Sequence, residues 1–345
     1  MPIRNSTSTL RQTITLAHGS GGRAMQELIT AVFISEFGAL PSVLEDQARI
    51  PLEELVAQGD RLAFTTDSFV VDPLFFPGGD IGTLAVNGTV NDLAVGGAIP
   101  RYLTCAMILE EGLPLDTLRR VTGSMARAAA AAGVAIVTGD TKVVPRGSVD
   151  KLFVNTAGIG VMRRGVTPAA DSLRPGDRVL VNGPLGNHGA TIMATRGELA
   201  LETDLSSDCQ PLGDLVATIV SVCPQVRAMR DATRGGLAAV LNEFADSAGV
   251  GIRLEAQLPV EAGVAGLCEL LGLDPLYLAN EGRLVVVVPA PQAEAVLTAM
   301  RAHPQGSQSC IIGEVTAGQR VVMQTPFGTE RVIDRLVGEQ LPRIC

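Results

Sequence analysis

Apolar and polar positions run along this chain in two rhythms. The stretches 62–66, 102–109, 135–138 and 152–162 are rich in aliphatic and β-branched residues and are bounded by Gly or Asp, which predicts strands. Leu115, Leu118, Thr122, Met125, Ala129 and Ala132 recur at helical spacing, and Gly133 stands where a helix C-cap belongs, so 115–132 is expected to be a helix. Residues 24–33 are a shorter helical run. The segment RRGVTPAADSLRPGD (163–177) is dense in Pro, Gly and polar residues and reads as a domain boundary. Beyond it the alternation resumes. Strands are expected at 178–182, 252–255, 284–288, 310–314 and 320–324, and helices at 212–222, 237–248 and 293–303. The pattern predicts an α/β chain of two similar halves, each a mixed sheet with helices packed on it. The domains are expected at 1–165 and 175–325, with 326–345 as a tail of little periodicity.

Composition narrows the function classes. The chain has 345 residues, 46% of them hydrophobic and 18% charged, a balance that supports two packed domains and argues against disorder and coiled coil. Its 38 glycines exceed the ~7% average and imply many tight turns. The net charge of −9, two Tyr and no Trp leave neither a basic footprint nor stacking platforms for nucleic acid. No secretory h-region opens the chain, and no apolar run approaches the ~20 residues of a membrane span. Six cysteines without a C-x-x-C pair point to free thiols in a reducing cytoplasm.

Candidate chemistry lies in a few motifs. His18, Gly19, Ser20, Gly21 and Gly22 precede the first helical run, where small residues turn N–H groups toward an anion; a flexible loop is the alternative. Asp46, Asp67, Asp92, Asp140 and Asp231 are each expected at a strand end or a Gly-rich turn. Convergent carboxylates suit magnesium bridging phosphates, although any one of them serves equally well as a cap. The stretches DLAVGG, from Asp92, and DATRGG, from Asp231, look like loosely related elements of the two halves, and Arg234 at a helix start suits a phosphate or carboxylate. Cys345 closes the chain in LPRIC. A thiol on a tail can travel as a carrier arm does, an incidental terminal Cys being the alternative; Arg343 would favour its thiolate and the terminal carboxylate would oppose it. His188, in GPLGNHGA, and His303 are read as core or surface residues, and the other five cysteines as small hydrophobes.

HGSGG, EDQAR, TTDSFVVDPLFFPGGDIG, VNDLAVGG, TGDTKVV, DATRGGL, ANEG and PRIC occur in one order from His18 to Cys345. Together they resemble the HypE family of hydrogenase maturation factors, in the superfamily of aminoimidazole-ribonucleotide synthetase. The turn at Asn187 departs from the Asp-His of many relatives.

The resemblance implies a fold like that synthetase and a homodimer made through N-terminal strands in a shared barrel. It also implies a carbamoyl dehydratase. Cys345 would be carbamoylated by HypF, ATP would phosphorylate the thiocarbamate oxygen, and loss of phosphate would leave a thiocyanate. The cyano group would pass to iron on HypC–HypD. By the same resemblance Asp46, Asp67, Asp92 and Asp140 would hold Mg2+ and triphosphate. His18–Gly22 would lie near the phosphates, with Asn91, Asp231 and Arg234 also on the nucleotide. Removing two protons from the carbamoyl nitrogen needs a base, for which Glu281 is the candidate, with Lys142 offsetting charge. A mutual Lys142–Glu281 ion pair is the structural alternative. A small-molecule kinase of the same superfamily and a non-enzymatic nucleotide-sensing scaffold are the competing functions.

Overall fold

The structure, a computed structural model, describes residues 12–38, 45–196, 203–336, 338 and 344–345. In the first half, α1 (Arg23–Leu28) continues through a π-helical stretch (Ile29–Ile34) into α2 (Ser35–Phe37). Then come α3 (Leu52–Val56), β1 (Arg61–Phe69) and a small ribbon of β2 (Phe75–Phe76) with β3 (Gly79–Asp80). The half is completed by α4 (Ile81–Val95), β4 (Ala98–Glu110), α5 (Leu115–Ala131), β5 (Ala135–Val144) and β6 (Leu152–Met162). A four-stranded sheet runs in the order β1-β6-β4-β5, antiparallel except between β4 and β5.

α5 forms as its periodicity predicts, with Leu115, Leu118, Val121, Met125 and Ala129 on the buried stripe. α4 is different. The Asp80 carboxylate caps it by accepting from the Thr83 N–H at 2.9 Å, and every residue of it except Thr83 and Asp92 is buried. A helix buried all round has no polar face and so no helical period to read. Asp92 therefore lies in the last turn of a core helix, not in a turn after a strand.

The second half contains β7 (Arg178–Val181), α6 (Asn187–Thr195), α7 (Gly213–Val222), β8 (Ala228–Asp231), α8 (Gly236–Ala248) and β9 (Gly251–Leu254). It continues with α9 (Ala262–Leu271), β10 (Leu284–Val288), α10 (Ala293–Ala302), β11 (Cys310–Thr316), β12 (Val321–Gln324) and β13 (Glu330–Val332). The seven strands lie in the order β13-β12-β9-β11-β7-β10-β8, antiparallel apart from β12 on β9. β10 is buried along its whole length. Val285 and Val287 face α8, and Leu284, Val286 and Val288 face α7 and α10.

Residues 326–336 are not a free tail. β13 pairs with β12, and Ile333 packs into the second-half core. The halves meet along α4: Ala94 and Val95 share a hydrophobic cluster with Leu215, Val216 and Ile219 of α7. All six cysteines are free thiols. Among the described residues no helix is long and apolar enough to cross a membrane.

Candidate active site

The site lies where the two halves touch, and Ile344 and Cys345 are inside it. Ile344 is buried, and Cys345 packs against the same cluster as Ala279 of the second half and Phe69, Phe76 and Ile81 of the first. The Val70 N–H donates to the Cys345 main-chain oxygen at 3.0 Å, and His188 Nε2 lies 2.7 Å from the Ile344 carbonyl oxygen. The thiol of the sequence-predicted carrier arm is therefore docked within its own chain.

Asp208 organises the wall around it. Its Oδ1 accepts from the His188 N–H at 3.0 Å, and its Oδ2 accepts from the Glu281 and Gly282 N–H groups at 3.2 and 3.1 Å. Gly282 is required there, because a Cβ would collide with the Asp208 carbonyl. Asn280 ties the same turn to its surroundings: its Oδ1 accepts from the Gly186 N–H at 2.7 Å, and its Nδ2 donates to the Ala232 carbonyl at 2.8 Å. These contacts aim Glu281 inward. Its carboxyl is buried, and Oε1 has no hydrogen-bond partner.

The electrostatics are those of a crowded acidic pocket. Burial pushes Glu281 well above the usual carboxylate range, helped by Asp208, Asp231 and Asp67 and opposed by the Arg234 guanidinium. Asp231 is pushed up to about 7, by burial first and then by Asp92. Asp92 is raised by burial, while the Thr65 hydroxyl, donating to its Oδ2 at 2.9 Å, pulls it down. The Cys345 thiol is pushed up to about 12 by burial and by Glu281, again against Arg234. The fold thus brings Asp67 from β1, Asp92 from α4, Asp231 from β8, Glu281 and Cys345 within electrostatic reach of one another, with Arg234 as the opposing charge for Glu281 and Cys345.

Other predicted residues lie elsewhere. Asp140 and Lys142 sit inside β5, on the sheet edge opposite β1 and three strand spacings, about 14 Å, from it. Lys142 Nζ is 3.0 Å from an Asp140 carboxylate oxygen, and its side chain is 66% exposed. Among the described residues Lys142 makes no ion pair with Glu281, so the mutual pair is corrected. Asp46 is exposed in the irregular stretch 45–50. Of the five aspartates only Asp231 ends a strand, because Asp67 and Asp140 lie within β1 and β5.

His18 is buried and works locally, its Nδ1 accepting from the Thr15 N–H at 2.9 Å. Gly19 lies against Val143, while Ser20, Gly21 and Gly22 are exposed. Asn91 is a clamp between the halves. Its Nδ2 donates to the Gln210 and Glu281 carbonyls, and its Oδ1 accepts from the Leu212 N–H at 2.7 Å, so its amide is already used. The two Asp-Gly-Gly stretches are not equivalent elements, since Asp92 precedes the end of α4 and Asp231 the start of α8. Arg343 lies outside the described residues.

Sequence reading missed Asp208 and set His188 aside. The available signal was a His in a Gly-rich turn, where the following Gly189 permits close approach to the Ala279 backbone. Asp208 carried no signal, because its three acceptor bonds reach residues 20 to 74 positions away.

The two halves match the AIR synthase related protein N-terminal domain over residues 45–162 and its C-terminal domain over 174–325. The carbamoyl dehydratase HypE of Rhodobacter capsulatus is 58% identical over 335 residues, covering 96% of this chain and 98% of its own. The chain belongs to the HypE family. A crystal structure of the hydrogenase maturation protein HypE in complex with ATP superposes with a TM-score of 0.91 at 47% identity, covering 96% of this chain and 100% of that one. A HypE–HypF complex matches with a TM-score of 0.78 at 48% identity, over 80% of this chain and 90% of that one.

Proposed function

We propose that this HypE-family chain is an ATP-dependent carbamoyl dehydratase that converts S-carbamoyl-Cys345 to S-cyano-Cys345 and so supplies cyanide for the iron of nickel–iron hydrogenase. One observation carries the reading: the Cys345 thiol is docked beside a buried carboxylate, Glu281, at the edge of an acidic cluster faced by Arg234. The carbamoyl oxygen is a poor leaving group, and ATP as co-substrate converts it to a phosphate ester that leaves as phosphate. The nitrogen surrenders two protons as the C≡N bond forms. Glu281, raised by its surroundings, is in its ionised form a stronger base than an ordinary glutamate; with its main chain held by Asp208 it takes one of them, and the departing phosphate carries away the other.

Magnesium fits the cluster. Asp67 pushes up Asp92, and both push up Asp231, a repulsion that a divalent cation relieves. Among the described residues no three His, Cys, Asp or Glu side chains already form a cage. That arrangement suits an ion held by one or two carboxylates and completed by phosphates and water. Bound there it supplies neutralising charge to the phosphoryl oxygens. Asp67, Asp92 and Asp231 are the residues that would hold it; Asp140 and Lys142 lie on the sheet edge opposite β1, and Asp46 is exposed.

HypF as carbamoyl donor, HypC–HypD as cyanide acceptor and a cytoplasmic setting complete the reading. A homodimer belongs to it as well. One face of the four-stranded sheet presents exposed Leu62, Phe64 and Ile108 among the described residues, with Phe64 69% exposed. An apolar sheet face of this kind is buried by a second sheet.

Mass spectrometry after incubation with the carbamoyl donor system tests the proposal. The Cys345 peptide should gain a carbamoyl group and then lose one water only when magnesium-ATP is added. Glu281→Gln should accumulate the carbamoyl form. ATP turnover with no adduct on Cys345 would move the assignment to a kinase of a free small molecule, and equal loss of both steps in Glu281→Gln would remove the base.

A further inference from the structure

Both ring nitrogens of His188 are occupied, and the groups that occupy them fix its tautomer. The Ile344 carbonyl oxygen only accepts, so Nε2, 2.7 Å away, carries the proton and donates. Nδ1 is then the acceptor, and the Ser207 hydroxyl, 2.8 Å away, donates to it. The Ser207 oxygen in turn accepts from the Cys209 N–H at 3.2 Å. A directed chain of hydrogen bonds thus runs from the Cys209 amide through Ser207 and His188 to the peptide carbonyl just before Cys345. The ring is completely buried, with the Phe76 ring edge-on at 5.4 Å, and the backbone N–H of His188 donates to Asp208. Burial lowers its proton affinity, which keeps it in the neutral form this chain requires.

Asp208 links this chain to the proposed base. The same carboxylate that receives the His188 N–H receives those of Glu281 and Gly282. The contact holding the tail and the contacts holding Glu281 therefore share one rigid group. We infer that His188 is a positioning residue for the dehydration step: it latches the Ile344 carbonyl and so sets the Cys345 substituent against Glu281, without touching the reacting atoms itself. The catalytic half of this inference rests on the dehydratase reading, whereas the latch does not.

The test separates the two. In peptide-resolved alkylation by iodoacetamide, His188→Ala should raise the rate at Cys345 by about tenfold, because an undocked thiol leaves the environment that pushes it up to about 12. His188→Gln, whose amide N–H can still donate to Ile344, should restore most of the protection. On carbamoylated protein His188→Ala should lower the dehydration rate while the KM for ATP stays unchanged, again with partial rescue by Gln.

Unchanged alkylation in His188→Ala would overturn the latch. A rise in the ATP KM to match the rate loss would overturn the positioning role. Should the Ala variant fail to fold, 15N-histidine NMR of the native chain replaces it. A slowly exchanging Nε2–H on His188 should be present in the full chain and absent from a chain ending at residue 343. The same signal in both would overturn the latch.

Discussion

Asp231 ends a strand inside the molecule, where its carboxyl must either keep its proton or bury a charge beside Asp92. Its proton affinity, raised from 3.8 to about 7, makes that choice depend on pH. Below about pH 4 the folded and unfolded chains are both protonated and the contribution of Asp231 to stability is fully present. As pH rises toward 7 the unfolded chain sheds the proton first, and above 7 the folded chain carries the full cost of a buried charge. Asp231→Asn should therefore raise the urea midpoint at pH 8, by as much as ~4 kcal/mol in stability from a shift of this size, and change it little at pH 4. Equal gains at both pH values would show that the side chain is not titrating in this window. Asp231 was legible in the sequence as a candidate. Its neighbours were not, because residues 67, 92, 231 and 281 meet only through packing of α4 against β1 and β8.

Most elements with an amphipathic pattern were read with small boundary shifts, although α9, buried at Val264, Leu267 and Cys268, was missed; β10, with no alternation, was read from its aliphatic run alone. α5 and α8 each show one apolar face to a core and one polar face to water, so period and burial agree. α4 is buried on all sides and α6 is a short helix of mostly buried residues, so neither shows a contrast to read. β13 has three exposed residues at a sheet edge and likewise gives no alternation. That last element changes where the second half ends. Ile333, which follows β13, is buried in its core, while Phe327 is 93% exposed. Ile333→Ala should cost about 2 to 5 kcal/mol in urea unfolding, and Phe327→Ala should stay within about 0.5 kcal/mol. Two silent substitutions would return residues 326–336 to the status of a tail.

For the whole molecule, the unpaired faces carry the prediction. The four-stranded sheet is covered on one side by α4 and α5, and its other side leaves Leu62 and Phe64 largely exposed. Phe64→Asp should convert the proposed dimer to a monomer in sedimentation equilibrium, and its thermal midpoint should fall only as far as the lost partner dictates. A dimer mass in the variant would place the interface elsewhere. The position of Lys142 matters at the same scale. It stands on the edge of this sheet opposite β1, and its charge is used by Asp140.

The sequence alone determined what depends on near neighbours: the alternation of strands and helices, the mixed α/β class, the order of motifs and the thiol of Cys345 as the group to watch. Local spacing and turn chemistry are written in consecutive residues and need no partner. The tertiary structure decided which charges share a pocket, that among the described residues Lys142 makes no ion pair with Glu281, and that Cys345 is held beside Glu281 by Val70 and His188. Those contacts join positions up to nearly 300 residues apart, and only the burial of α4 between the two halves brings them together.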